Sequence, residues 1–269
     1  MSELGPLGAA TPAFGTTDSA AAVDAAVRLE ELGYSTLWVP GGQGDNLALV
    51  PDLVRATRRI TVANGILSVD RVPAETVATA YRSLAATHAG RWLPGLGGAH
   101  GRRPLATLSA YLDELDTAVP ASRRVLSALG PRMLELARDR ASAAYPFLVT
   151  PDYVASAREL LGPGPGLAVL VTVVAEPDPA RARDIVRSGS LRFLAGVPGY
   201  AANFRRMGFT PADVADLSDR LVDGVTVHGS FDTVVSRLRE YHAAGADQVV
   251  VSPDTLPEPW HGDLVAALG

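Results

Sequence analysis

Short apolar or β-branched runs alternate with helical patterns from one end of this chain to the other, and that alternation limits the fold more than any single motif. The clearest unit is a predicted helix over Ser19–Leu32, with Asp18 placed as its cap and Val23, Ala26, Val27 and Glu30 to Leu32 at helical spacing. Gly33 ends it, and Thr36-Leu37-Trp38-Val39 reads as a buried strand. The same logic predicts strands at Leu7–Thr11, Ile60–Ala63, Trp92–Leu96, Arg124–Leu129, Phe147–Val149, Leu167–Val174 and Val249–Val251. Helices are expected over Leu47–Ala56, Pro73–Thr87, Leu105–Val119, Pro131–Arg140, from Pro151 onward, across 178–222 and over Phe231–Ala244. About eight apolar strands, each followed by a helix, predict a parallel sheet covered on both faces. At 269 residues the economical α/β closure is a (β/α)8 TIM barrel in a single domain, 1–269; a doubly wound open sheet is the alternative.

Composition narrows the chemistry. With 47% hydrophobic and 20% charged residues and a net charge of −5, the chain reads as a soluble domain. That balance argues against nucleic acid or an anionic membrane as the main partner. No apolar run approaches the roughly 18 residues of a membrane span, and residues 1–20 lack a basic start followed by an apolar core, so a cytoplasmic protein is expected. The absence of cysteine excludes thiol nucleophiles, disulfides and thiolate metal sites. Lysine is absent too, so all 24 basic residues are arginine. Schiff-base chemistry, pyridoxal phosphate and a Walker loop each need a lysine amine and are excluded with it.

In a barrel the active site is built from the loops after the strands. Those segments hold Pro40-Gly41-Gly42, Asn64 to Arg71, Gly97-Gly98-Ala99-His100-Gly101-Arg102-Arg103, Gly130-Pro131, Thr150-Pro151 and Ser252-Pro253-Asp254. They are rich in glycine and poor in acids, bases and metal ligands, so no metal site is expected. Such a mouth suits a large ligand that carries its own chemistry. Gly130-Pro131 and Thr150-Pro151 are helix starts whose free amides suit a phosphate, although a glycine before proline is also a plain tight turn. Among the histidines, His88 reads as a helix C-cap, His242 as a helix-surface residue, and His261 lies in the tail. His228 ends a short strand at Val225–Val227, where it could face the mouth. His100 directly follows the fourth strand and is the site candidate; Arg102 and Arg103 beside it either bind an anion or are solvated. Trp38 reads as core.

The stretches Arg28 to Trp38, Arg71 to Arg91, Gly95-Leu96-Gly97, Ala128 to Ala137, Leu221-Val222-Asp223 and Gly245-Ala246-Asp247 occur in order over nearly the whole length. In them the chain resembles the bacterial-luciferase-like flavin and deazaflavin oxidoreductases, in particular an actinobacterial branch that uses coenzyme F420. The resemblance implies a (β/α)8 barrel, commonly a homodimer, with the coenzyme ring at the C-terminal mouth. It implies a non-proline cis peptide at Gly65–Ile66, flanked by Asn64 and Ser68, behind the ring. It further implies Gly97 and Gly98 at the mouth, phosphate contacts at Leu129, Gly130 and Thr150, and His100 as the polar group near the ring. The expected activity is hydride transfer between F420 and a small organic substrate, with His100 exchanging the accompanying proton. An FMN-dependent monooxygenase and a cofactor-binding or structural barrel without turnover are the alternatives. Gly41 and Gly42 stand where many relatives carry an acid or histidine, and the stretch from His100 to Leu105 is short; these departures fit a changed substrate or a loss of catalysis, and the two glycines favour the last alternative.

Overall fold

In the computed structural model, which describes residues 4–15, 19–41, 47–99 and 101–269, the alternation folds into twelve short strands. They are β1 (Leu7–Ala9), β2 (Thr36–Pro40), β3 (Thr61–Gly65), β4 (Leu67–Ser68), β5 (Trp92–Leu93), β6 (Gly95–Gly97), β7 (Val125–Leu126), β8 (Ala143–Ala144), β9 (Gly166–Leu170), β10 (Thr172–Val174), β11 (Thr226–His228) and β12 (Gln248–Val251). Two barrel positions are interrupted strands: β3 and β4 flank Ile66, and β5 and β6 flank Pro94, which has no N–H for the ladder. With these joined, eight positions pair in parallel and in chain order: β1–β2, β2–β3, β3–β5 with β4–β6, then β6–β7, β7–β8 and β8–β9. Pairing of β9 with β12, and of β12 with β1, closes the ring. The fold is the expected (β/α)8 barrel, and the open-sheet alternative is excluded.

The barrel interior is filled mainly by small and β-branched residues, Ala63, Val125, Ala143, Ala168 and Val250, with Leu93. The space they leave holds one aromatic pair, Trp38 and Tyr145, stacked with ring centroids 4.0 Å apart and planes 4° from parallel. Trp38 donates from Nε1 to Gln248 Oε1 at 2.8 Å, so its one polar atom is satisfied in the core. The outward faces of the strands bury Leu37, Val39, Val62, Leu96, Leu126, Val169 and Val249 against the helix layer. No helix among the described residues is long and apolar enough to cross a membrane.

Several expected boundaries shift. The helix Ser19–Leu32 is as expected, and the predicted strand at Arg124–Leu129 shortens to β7. The sixth strand is β8, not Phe147–Val149. Pro146 has no N–H to extend the ladder, Phe147 keeps a single bridge to Leu170, and Leu148 turns out with φ 56°. The helical material expected across 178–222 is five short helices, Pro179–Ser188, Ser190–Ala195, Pro198–Arg206, Pro211–Asp216 and Asp219–Val225. They lie between β10 and β11, which pair beside the barrel. Phe204, Phe209, Leu217, Leu221 and Val222 form a second apolar core there, and Leu148 joins it from the barrel side. This insertion caps one side of the mouth.

Candidate active site

The floor of the mouth is a bulge between β3 and β4. The Gly65–Ile66 peptide is cis, as the resemblance implied. Three glycines pack on the bulge from neighbouring strands because nothing larger fits. A Cβ on Gly41 would stand 2.1 Å from the Ile66 carbonyl oxygen, one on Gly95 1.7 Å from the Asn64 carbonyl oxygen, and one on Gly97 3.3 Å from Ile66 Cδ1. Gly41 N–H also donates to Gly65 O at 2.9 Å. Glycine at position 41 is therefore a packing requirement of the bulge, not the mark of a lost catalytic acid. Gly42 and His100 lie outside the described residues.

Beside this floor a cavity of about 890 Å³ opens between the ends of β6 and β7 and the cap helix Pro198–Arg206. That is a size suited to a cofactor or other large ligand. Gly97, Gly98, Ser127, Leu129 and Gly130 line its barrel side, and Val197 to Tyr200 with Arg206 line the cap side. Arg102, Arg103 and Arg132 also border it, and no acidic residue does among the described residues. None of these four arginines forms an ion pair among the described residues; Arg206 bonds only Asn203 Oδ1, at 3.0 Å. Asn203 is fully buried, and its amide nitrogen has no partner.

Gly130 is the N-cap of the helix Pro131–Arg140, and no side chain caps that helix. Pro131 has no N–H and the Met133 and Leu134 amides donate to Gly130 O, so the amides left for a ligand are those of Gly130 and Arg132, where the helix dipole adds positive potential. The Arg206 guanidinium lies over the same point, with Nη2 3.3 Å from where a Gly130 Cβ would be. Tyr153 fixes the loop by donating its hydroxyl to Leu129 O at 2.9 Å and Ala128 O at 3.2 Å. In a trans peptide the N–H points opposite to the C=O, so this bond turns the Gly130 amide away from Tyr153. The arrangement is an anion cradle: an uncapped helix start, a glycine that lets a ligand approach, and an arginine held by a buried asparagine.

The structure thus brings Gly97, Gly98, Leu129 and Gly130 together around the cavity, with Ile66 against Gly97 and Ser68 paired with Gly97 in register. Two other candidates lie elsewhere. The Asn64 side chain is buried and accepts from Trp92 Nε1 at 2.7 Å. Thr150 spends its hydroxyl on capping its own helix, accepting from Tyr153 N at 3.1 Å. His228 bonds Asp223 Oδ1 at 3.1 Å, within the cap's arginine–aspartate network. His88 bonds Thr87, and His242 and His261 bond the carbonyls of Ala246 and Leu256.

Sequence reasoning weighed Arg102 and Arg103 but missed Arg132, Arg206 and Tyr200. Arg206 and Tyr200 come from the cap, some 70 residues after Gly130, and no local pattern joins them to it. Tyr200 packs edge-on to Phe147, with centroids 6.5 Å apart, and burial pushes its hydroxyl up to about 12.

By sequence, the chain matches no protein-family model and no curated protein. Solved structures match it over its full length. An F420-dependent secondary alcohol dehydrogenase, in complex with an F420-acetone adduct, aligns with a TM-score of 0.74 at 14% identity, covering 100% of this chain and 98% of that one. The coenzyme F420-dependent tetrahydromethanopterin reductase of Methanopyrus kandleri gives the same TM-score, identity and coverage. The oxygenating constituent of 3,6-diketocamphane monooxygenase from Pseudomonas putida, in complex with FMN, aligns at 0.68 and 16% identity, covering 98% of this chain and 97% of that one. At these identities the likeness establishes the fold alone: the chain is a (β/α)8 barrel that resembles these enzymes in architecture.

Proposed function

We propose that the protein is an oxidoreductase that passes a hydride between a deazaflavin coenzyme of the F420 type and a small organic substrate. The observation that carries this reading is the set of four arginines around a cavity whose described lining holds no acid. FMN brings a single phosphate, whereas F420 brings a phosphodiester and the carboxylates of its glutamyl tail. The larger anion matches the larger cationic set. An FMN-dependent monooxygenase is the second reading, supported by the FMN-binding neighbour. The barrel without turnover loses part of its support, because Gly41 has a packing reason.

The residues fit the coenzyme in an ordered way. Gly130, Leu129 and Arg206 would take the phosphate, and Arg102, Arg103 and Arg132 the tail carboxylates. Ile66, Gly97 and Gly98 would lie along the ring, whose hydride chemistry the coenzyme supplies when bound. His100 keeps the proton role that its place in the sequence, three residues after β6, suggests. His100→Ala should slow turnover far more than it weakens coenzyme binding, and equal activity would remove it from the site. The barrel and its cap are read as one domain, since the cradle takes Gly130 from one and Arg206 from the other. A homodimer and a cytoplasmic location belong to the same reading. Ile185 and Phe193 are exposed apolar side chains that a second copy would cover, and sedimentation decides that point.

The test is a fluorescence titration of the purified protein with F420 and, separately, FMN. Micromolar binding of F420, tighter than FMN and weakened by added salt as screened charges require, is the expected result. Tighter binding of FMN would favour the monooxygenase, and binding of neither would return the non-catalytic barrel.

A further inference from the structure

The cap, between β10 and β11, carries seven arginines, and four of them have acidic partners. Arg181 pairs with Glu176, Arg183 with Asp219 and Asp223, Arg187 with Asp184 and Asp219, and Arg220 with Asp213. Arg192, Arg205 and Arg206 form no ion pair among the described residues. Each of these three lines a cavity. Arg206 borders the mouth, whereas Arg192 and Arg205 border a second cavity of about 480 Å³ between the helices Ser190–Ala195, Pro198–Arg206 and Pro211–Asp216. The two cavities share no lining residue. Arg205 makes no hydrogen bond among the described residues, and Arg192 makes one, from Nε to Arg187 O at 3.2 Å. The terminal nitrogens of both guanidiniums are therefore unengaged. Ala195, Ala201, Pro211, Val214, Ala215 and Leu217 form an apolar wall, and the described lining holds no acid. Asp213, on the helix at one side, is spent on Thr210, Ser218 and Arg220. Its own amide donates to Thr210 Oγ1, and Pro211 has no N–H, so the polar contacts on offer are chiefly the two guanidiniums. Leu217 keeps φ 47° and ψ 56°, left-handed backbone that a residue with a Cβ rarely adopts. Burial of its side chain and a bond from Arg187 Nε to its carbonyl, 2.9 Å, hold it there. Backbone of this kind clusters where a ligand is clamped.

We propose that this second cavity is a binding site for a small organic carboxylate with an apolar body. Arg192 and Arg205 take the head, and the wall of Ala201, Val214 and Leu217 takes the body. A guanidinium matches a carboxylate through two parallel N–H···O bonds, and the apolar body gains by leaving water. Neither part suffices alone. Both arginines are exposed, where a bare ion pair is screened and weak, and an apolar body without a charge would leave them unused. The volume falls in the range of small-molecule sites. Because the site shares nothing with the mouth, the inference stands independently of the coenzyme reading. A carboxylate held there joins three helices of the cap, one of which carries Tyr200 and Arg206 to the mouth.

The test is a methyl NMR titration of the full protein, labelled at alanine, leucine and valine, with three probes: octanoate, acetate and 1-octanol. Val214→Ile and Ala201→Ser assign the two reporter signals. Both should shift and saturate with octanoate at millimolar concentration or below. Acetate, which lacks the body, and 1-octanol, which lacks the charge, should bind at least about 10-fold more weakly, as the loss of a charge-assisted bond or of buried apolar surface requires. Arg205→Gln and Arg192→Gln should each weaken octanoate about 10-fold. Neither residue has an acidic partner to lose, so the melting temperature should stay as in wild type. Octanoate shifts confined to Leu105 and Leu108, which line the mouth cavity, would overturn the proposal. So would 1-octanol binding as tightly as octanoate, or wild-type octanoate affinity in the Arg192→Gln/Arg205→Gln double variant. Shifts of the same methyls on concentrating the protein without any probe would give the groove to a second copy of the chain, and would also overturn it.

Discussion

At the N-terminal end of the barrel, Arg91, Arg124 and Arg158 are each tied to several backbone and side-chain partners, although the buried Arg124 Nη1 has none. Arg91 donates to the carbonyls of Ile60 and Thr57 and to the Thr57 hydroxyl. Arg124 is fully buried, with Val119 O at 2.9 Å from Nε and Asp116 at 2.8 Å from Nη2. Arg158 bonds the carbonyls of Gly245, Gly162 and Pro165 and pairs with Asp247. At the C-terminal end, Arg102, Arg103, Arg132 and Arg206 border a cavity with no acid among the described residues of its lining. The same residue type, in a chain with no lysine, ties strand entries together at one end and stands ready for an anion at the other. Barrels commonly divide stability and function between their two faces in this way. Here the division is visible in which guanidiniums are engaged with backbone carbonyls and carboxylates and which border the cavity without an ion pair among the described residues.

The largest expected effect that would break this contrast is at Arg124. Arg124→Ala leaves the Val119 carbonyl and half-exposed Asp116 without their partner and should cost about 3 kcal/mol of stability. Chemical denaturation measures it, and the surviving folded protein should bind F420 as wild type does. Gly130→Asp comes next, as the opposite case. Its carboxylate would occupy the cradle under Arg206, so binding should fall by more than about 100-fold with no loss of melting temperature. Undiminished binding would remove Gly130 from the site.

The smallest effect sharpens the N-terminal side. Burial pushes the Glu30 carboxyl up, but the N–H groups of Ile60, Arg59 and Arg58 outweigh it and hold the carboxyl below its ordinary value. A carboxyl lowered in the folded state contributes in full above about pH 4.3, and the contribution is lost as pH falls through the lowered value. Glu30→Gln should therefore lower stability modestly at neutral pH, and the difference from wild type should close in acid. A gap that stays constant from pH 7 to strong acid would contradict this role.

These elements also mark how far the sequence can be followed. The alternation of apolar runs and helices was legible because burying a parallel sheet on both faces demands it, and the helix at Ser19–Leu32 came with clear cap and stop residues. The cis bulge was legible only through the family resemblance, and the Gly130 helix start through the Gly130-Pro131 pair. The sixth strand was not, because Phe147–Val149 is as apolar as a strand while serving the cap's core and the helix layer instead. The cap itself read as continuous helix, although Gly189, Gly196 and Gly208, with Pro198 and Pro211, are its breaks. Arg206 and Tyr200 escaped for one reason: their meaning lies in what faces them across the cavity, and in chain order those partners are distant.

The most direct measurement is the F420 affinity of Arg206→Ala beside its melting temperature. Loss of one charge-assisted contact to an anion predicts binding about 10- to 100-fold weaker, with the melting temperature unchanged or slightly higher as mutual repulsion at the mouth eases. Wild-type affinity, or a fall in melting temperature with affinity intact, would mean that Arg206 serves the fold as Arg124 does, and the division between the two ends of the barrel would fail.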